Sequence, residues 1–136
     1  MVQPPLREGT GRTILLVDDE RALLKILSVY LSRLGYQTRA AESTDQAWAA
    51  VRESAGELAA AVLDASLPGL STEDLAANLL AANPRLCAVV ASGYPVDMSV
   101  LEEQAPGRVL FLQKPFTPEM LAATLRRMIG AQEEKL

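Results

Sequence analysis

Histidine is absent from all 136 residues. The chain therefore supplies no phosphohistidine, no imidazole metal ligand and no histidine general base, and any phosphoryl group it handles must arrive from another molecule. Cys87 is the single cysteine, which excludes an internal disulfide and suits a reducing cytoplasm. No apolar run approaches the ~18 residues of a membrane span. Met1 to Arg12 lacks the apolar stretch of a signal peptide, so no membrane contact is expected of this domain. Basic residues number 13 against 17 acidic, the net charge is −4, and no basic cluster exceeds Arg126-Arg127. That leaves no electrostatic footprint for nucleic acid, and no direct nucleic-acid contact is expected. The eight glycines form neither a GxxxxGK-Ser/Thr loop nor a GxGxxG loop, so nucleotide-cradling machinery is missing as well.

What remains is an ordinary globular composition, 49% hydrophobic and 22% charged, sufficient for one domain with a real core. Residues 1–12 are polar, rich in Pro and Gly, and read as a linker or frayed terminus. Thr13 to Val17 is a continuous apolar run, as in a buried strand. From Glu20 to Leu34, Leu23, Leu27, Tyr30 or Leu31, and Leu34 recur at helical spacing, and Gly35 stops the helix. Tyr36 to Ala41 reads as a second strand, and Ser43 or Thr44 then caps a helix facing inward through Ala47, Trp48 and Val51. Leu58 to Leu63 is a third strand. Thr72 opens a helix through Leu75, Leu79 and Leu80 that Asn83-Pro84 closes. Leu86 to Ala91 is a fourth strand, and a short helix around Asp97 to Gln104 precedes a fifth, Arg108 to Leu112. Pro118, Leu121, Leu125, Met128 and Ile129 give a final amphipathic helix, with residues 131–136 as a solvated tail. Strands alternating with helices argue for a parallel sheet covered on both faces.

Three segments carry chemistry. Ile14-Leu15-Leu16-Val17-Asp18-Asp19-Glu20 and Ala61-Val62-Leu63-Asp64 are apolar runs ending in carboxylates. Phe111-Leu112-Gln113-Lys114-Pro115-Phe116 is an apolar run reaching a lysine. As parallel strands of one sheet they bring three acids and one ammonium to its carboxyl edge, where open α/β sheets place their ligands. Clustered acids beside a lysine suit a hard divalent cation and a phosphoryl group.

This constellation resembles the receiver (response-regulator) domain of two-component signalling over about Thr13 to Ile129, with residues 13–130 as the domain. The resemblance implies a flavodoxin-like, three-layer (βα)5 fold with a five-stranded parallel sheet in the order 2-1-3-4-5. It implies that Asp64 is the phosphoacceptor, followed by the turn at Pro68, and that Mg²⁺ (or Mn²⁺) is held by Asp19 directly, Asp18 through water, Asp64 and the Ser66 backbone carbonyl. Lys114 would pair with the phosphoacceptor and then with the phosphate, before a Pro115 peptide that is cis. Ser92 would turn its hydroxyl to a phosphate oxygen and Phe111 would follow it inward, changing the surface of the fourth helix, fifth strand and fifth helix. The implied partner is a histidine kinase or a histidine phosphotransfer domain, and the subfamily it is most similar to is the carboxyl-terminal receiver of hybrid sensor kinases, a cytoplasmic phosphorelay module.

Each residue alone has a plainer reading. Asp18 or Asp19 caps a helix, Asp64 is a turn residue, Lys114 is a surface lysine, and Ser92 and Phe111 are an ordinary loop serine and strand aromatic. Their common register gives them weight together. The chain departs from the family at Leu67, where Met is frequent, and at Thr72, where Gly is frequent. Ser66 and Tyr94 flank the expected path of hydrolytic water, and a Tyr94 ring across that path would make self-dephosphorylation slow. An alternative is a small aspartate-nucleophile phosphohydrolase of haloacid-dehalogenase type, but it wants a second acid where Ser66 stands.

Overall fold

Consecutive side chains from Ile14 to Val17 lose essentially all contact with solvent, which requires cover on both faces of the sheet. The computed structural model describes residues 11–54, 56–67 and 72–134. Its elements alternate strictly. They are β1 (Thr13–Val17), α1 (Arg21–Arg33), β2 (Gln37–Ala41), α2 (Thr44–Ser54), β3 (Leu58–Asp64), α3 (Thr72–Ala82), β4 (Cys87–Ser92), α4 (Ser99–Gln104), β5 (Val109–Gln113) and α5 (Pro118–Glu134). All neighbouring strands pair in parallel, in the order β2-β1-β3-β4-β5. The order reverses between β1 and β3, so a crevice opens beyond their carboxyl ends, beside Asp18, Asp19 and Asp64.

Alternate strand residues serve opposite layers. Leu15, Val17, Ala61, Leu63, Ala88 and Val90 pack under α2, α3 and α4. Ile14, Leu16, Ala60, Val62 and Val89 pack under α1 and α5, against Leu24, Leu27, Leu31, Leu121 and Leu125. Local sequence sets the helix ends. Gly35 adopts φ +98, and its N–H and that of Tyr36 bond to the carbonyls of Ser32 (3.0 Å) and Leu31 (3.1 Å), a Schellman closure of α1. Ser43 is the cap of α2, its Oγ accepting the Gln46 N–H at 3.2 Å, while Gln46 Oε1 accepts from the Glu42 N–H at 2.7 Å.

Two boundaries of the domain differ from the sequence reading. A tail was expected over 131–136, yet α5 runs to Glu134, with Gln132 buried and its Nε2 3.3 Å from the Gly107 carbonyl. The polar composition of this last turn hides the side on which it packs. Arg12, assigned to the linker, accepts the Gln37 N–H on its carbonyl and pairs through its guanidinium with Glu133, so it belongs to the folded domain. Residues 1–10 lie outside the described residues. No helix among the described residues is long and apolar enough to cross a membrane.

Candidate functional site

Asp18 directly follows β1 and Asp64 ends β3, and this places both carboxylates at the floor of the crevice, 6% and 2% exposed. Asp19, one residue further on, is exposed. One carboxylate oxygen from each of the three lies within 4.8 Å of the others. The lysine after β5 reaches into this group. Lys114 Nζ donates to Asp18 Oδ2 at 2.8 Å and lies 3.4 Å from Asp64 Oδ2. The lysine was expected to pair with Asp64; its shorter contact is to Asp18, with Asp64 second. Burial pulls the Lys114 ammonium down, but its hydrogen bond to Asp18 and the charges of Asp18 and Asp64 outweigh it, holding its pKa above the ordinary lysine value.

The remaining oxygens divide unequally. Asp18 Oδ1 accepts the Glu20 N–H at 2.9 Å, so both oxygens of Asp18 have protein partners. Asp64 Oδ1 accepts both the Ser66 N–H (3.0 Å) and the Ser66 hydroxyl (2.7 Å). Among the described residues Asp19 has no hydrogen bond or ion pair, and it is exposed. Three carboxylates against one ammonium leave two negative charges uncompensated, and hard oxygen donors in that arrangement fit Mg²⁺ or Mn²⁺.

Ser92 ends β4, is 6% exposed, and its Oγ accepts the Tyr94 N–H at 3.0 Å; its carbonyl accepts the Lys114 N–H at 2.8 Å. That backbone bond carries the β4–β5 ladder one residue past the Ser92–Gln113 pair and fixes the loop bearing Lys114. The Lys114–Pro115 peptide is cis, as the resemblance implies. Phe111 lies half-buried on β5 opposite Val90. The expected turn residue Pro68 lies outside the described residues.

Tyr94 corrects the sequence reading. It is 80% exposed, not packed into the crevice, and its N–H bonds the Ser92 Oγ at 3.0 Å. Two contacts were not foreseen. The Ser66 hydroxyl bonds Asp64 itself, and the buried Thr72 hydroxyl bonds the Asp64 carbonyl at 2.9 Å. The two-residue spacing from Asp64 to Ser66 suits an Asx-type turn and is a usable signal for the first. Nothing local signals the second. Beside Lys114, a cleft of about 310 Å³ is lined by Glu20, Leu23, Pro115 and Phe116.

A parallel sheet in this order, with an aspartate cluster and a lysine at its switch point, defines a flavodoxin-like domain. The chain belongs to the response regulator receiver domain family, whose model matches residues 14–126. It is 32% identical over 123 residues to the phosphate regulon transcriptional regulatory protein PhoB of Pseudomonas aeruginosa, covering 88% of this chain and 52% of that protein. It is 31% identical over 121 residues to the sensor kinase CckA of Brucella abortus, covering 89% of this chain and 13% of that protein. The chain thus spans about an eighth to about half the length of these curated relatives. The structure of a CheY-like receiver domain protein from Methanospirillum hungatei superposes with a TM-score of 0.78 at 23% identity, covering 92% of this chain and 98% of that one. The chain is therefore a phosphoacceptor module of two-component signalling, a family that works with histidine kinases and is typically non-catalytic. None of these findings supports the haloacid-dehalogenase alternative, and Ser66, with its hydroxyl on Asp64, is no general acid.

Proposed function

We propose that Asp64 accepts the phosphoryl group of a phosphohistidine donor, a histidine kinase or histidine phosphotransfer domain, and that the uptake switches the α4–β5–α5 surface. The observation that carries this reading is the position of Asp64, buried at the switch point with Lys114 3.4 Å from its Oδ2. An Asp64 oxygen attacks phosphorus, the donor's P–N bond breaks, and its electron pair stays on the imidazole. Lys114 sits where charge gathers on the phosphoryl oxygens. Asp19 would hold Mg²⁺ (or Mn²⁺) directly because its oxygens are unpaired; Asp64 and the Ser66 carbonyl complete the set, and Asp18, whose oxygens already have partners, acts through water. The metal, when bound, neutralises charge on the phosphoryl oxygens. Ser92, one strand away, has a hydroxyl proton available for a phosphate oxygen, and Phe111 would occupy the space its side chain leaves.

The likeness to CckA favours a receiver fused to, or excised from, a cytoplasmic hybrid sensor kinase. The cleft of Leu23, Pro115 and Phe116 beside Lys114 would seat an apolar side chain of the donor next to the reacting atoms. Neither Ser66, whose hydroxyl bonds Asp64, nor the outward Tyr94 offers a strong water-orienting group, so self-dephosphorylation is slow. Acetyl phosphate with Mg²⁺ should give one alkali-labile phosphoryl adduct by mass spectrometry, and its decay should be the same in wild type and Tyr94→Ala. No adduct would sink the phosphoacceptor reading; a shortened lifetime in the variant would restore shielding by the ring.

Lys114→Ala should retain slowed uptake, reduced by up to about 100-fold, yet lose the response of α4, β5 and α5. Amide NMR shifts with a phosphoryl mimic measure this directly, and wild-type shifts in the variant would contradict the role. The pH dependence has a definite sign. A pKa raised on folding gives stability that is fully present below the ordinary value of 10.5 and is lost as pH rises through the higher folded value. The loss of thermal stability above pH 10.5 should accordingly be smaller in Lys114→Ala than in wild type.

A further inference from the structure

Thr72 is the first residue of α3 and is 7% exposed. A Thr opening a helix ordinarily offers its oxygen to the amides of the first turn. Here the hydroxyl proton goes backward, to the carbonyl of Asp64 at 2.9 Å, eight residues earlier. The bond ties the start of α3 to the end of β3. It also acts on the one backbone unit that carries the expected nucleophile.

Asp64 is gripped from three sides. The next amide, Ala65 N–H, bonds the Ala91 carbonyl at 2.9 Å and ties the strand end to β4. Ser66 holds Oδ1 through its N–H and its hydroxyl. Thr72 holds the Asp64 carbonyl, and so fixes the tilt of the peptide unit between Asp64 and Ala65. Rotation of that unit would swing the Asp64 side chain and the Ser66 N–H together, because both lie within two residues of it.

We propose that Thr72 is a positioning residue for Asp64, setting the aim of the carboxylate toward Lys114 and an incoming phosphorus through the Asp64 backbone. The proposal rests on Asp64 being the phosphoacceptor. Without the hydroxyl, a buried carbonyl has no donor, and the peptide unit turns to find one. Aim matters because a displacement of one ångström at a reacting group can lower a rate by about 100-fold.

Two variants of the full chain separate the hydroxyl from its bulk. Thr72→Val keeps shape and removes the donor, whereas Thr72→Ser keeps the donor and removes a methyl. Phosphoryl uptake is followed with Mg²⁺ over a series of acetyl phosphate concentrations, and the folded fraction is measured by circular dichroism. In Thr72→Val the saturating rate should fall about 10-fold with the half-saturating concentration of acetyl phosphate unchanged, and Thr72→Ser should stay near wild type. A wild-type rate in Thr72→Val overturns the proposal. So does a Thr72→Ser variant as slow as Thr72→Val, or a loss that vanishes once corrected for the folded fraction. An Asp64→Ala control run alongside keeps the two levels apart, since uptake by that control would remove Asp64 from its role irrespective of Thr72.

Discussion

Asp64→Asn should take up no phosphoryl group and, without divalent metal, should melt about 4 °C above the wild type. The first effect follows from chemistry, because an amide oxygen does not attack phosphorus as a carboxylate does. The second follows from charge. Asp18, Asp19 and Asp64 bring three carboxylates within 4.8 Å, and Lys114 compensates only one. Like charges at that range repel by ~3 kcal/mol at an effective dielectric constant near 20. The amide keeps an oxygen for the Ser66 donors, and Lys114 keeps its 2.8 Å bond to Asp18, so removal of one charge stabilises by about 1 kcal/mol net. Mg²⁺ should narrow this gap, since the wild type gains more from binding than the variant. Scanning calorimetry with and without Mg²⁺ measures both terms; a variant less stable than wild type in metal-free buffer would show that the cluster is not strained by its charge.

Asp19→Ala should abolish Mg²⁺ binding, whereas Asp18→Ala should weaken it about 10-fold. The asymmetry comes from what each carboxylate already does. Asp18 has Oδ1 on the Glu20 N–H and Oδ2 on Lys114, which would leave it to reach a cation through water. Asp19 is exposed and has no partner among the described residues, so its oxygens are available to a cation without breaking a protein bond. Isothermal titration of Mg²⁺ into the two variants decides the matter. Equal losses would overturn the assignment of direct and water-mediated ligands. Trp48 fluorescence is a poor substitute, because that indole lies on α2, packed into the core under the opposite side of the sheet from α1.

The legible part of this molecule is the part written in short segments. Ile14 to Val17 announces a buried strand by composition alone, and the carboxylates that follow it mark the end where a site can form. Asp64 and Lys114 are readable for the same reason, each closing an apolar run. Strand order is not written in periodicity and came from resemblance. Thr72 was read as a helix opener, because its bond to the Asp64 carbonyl crosses eight residues and depends on how the loop folds back. Tyr94 was read as a shield, because an aromatic between Gly93 and Pro95 carries no periodicity from which its direction could be taken. The end of α5 was read as a solvated tail, because a helix turn that buries Gln132 and pairs Glu133 with Arg12 has the composition of a surface.

The most direct test of the account is chemical location of the phosphoryl group. The full chain is treated with acetyl phosphate and Mg²⁺, reduced with borohydride, which converts an acyl phosphate on aspartate to homoserine, and sequenced by tandem mass spectrometry. Homoserine at position 64, and at no other aspartate, is the result the account predicts. Homoserine at position 18 or 19 with none at 64 would contradict it.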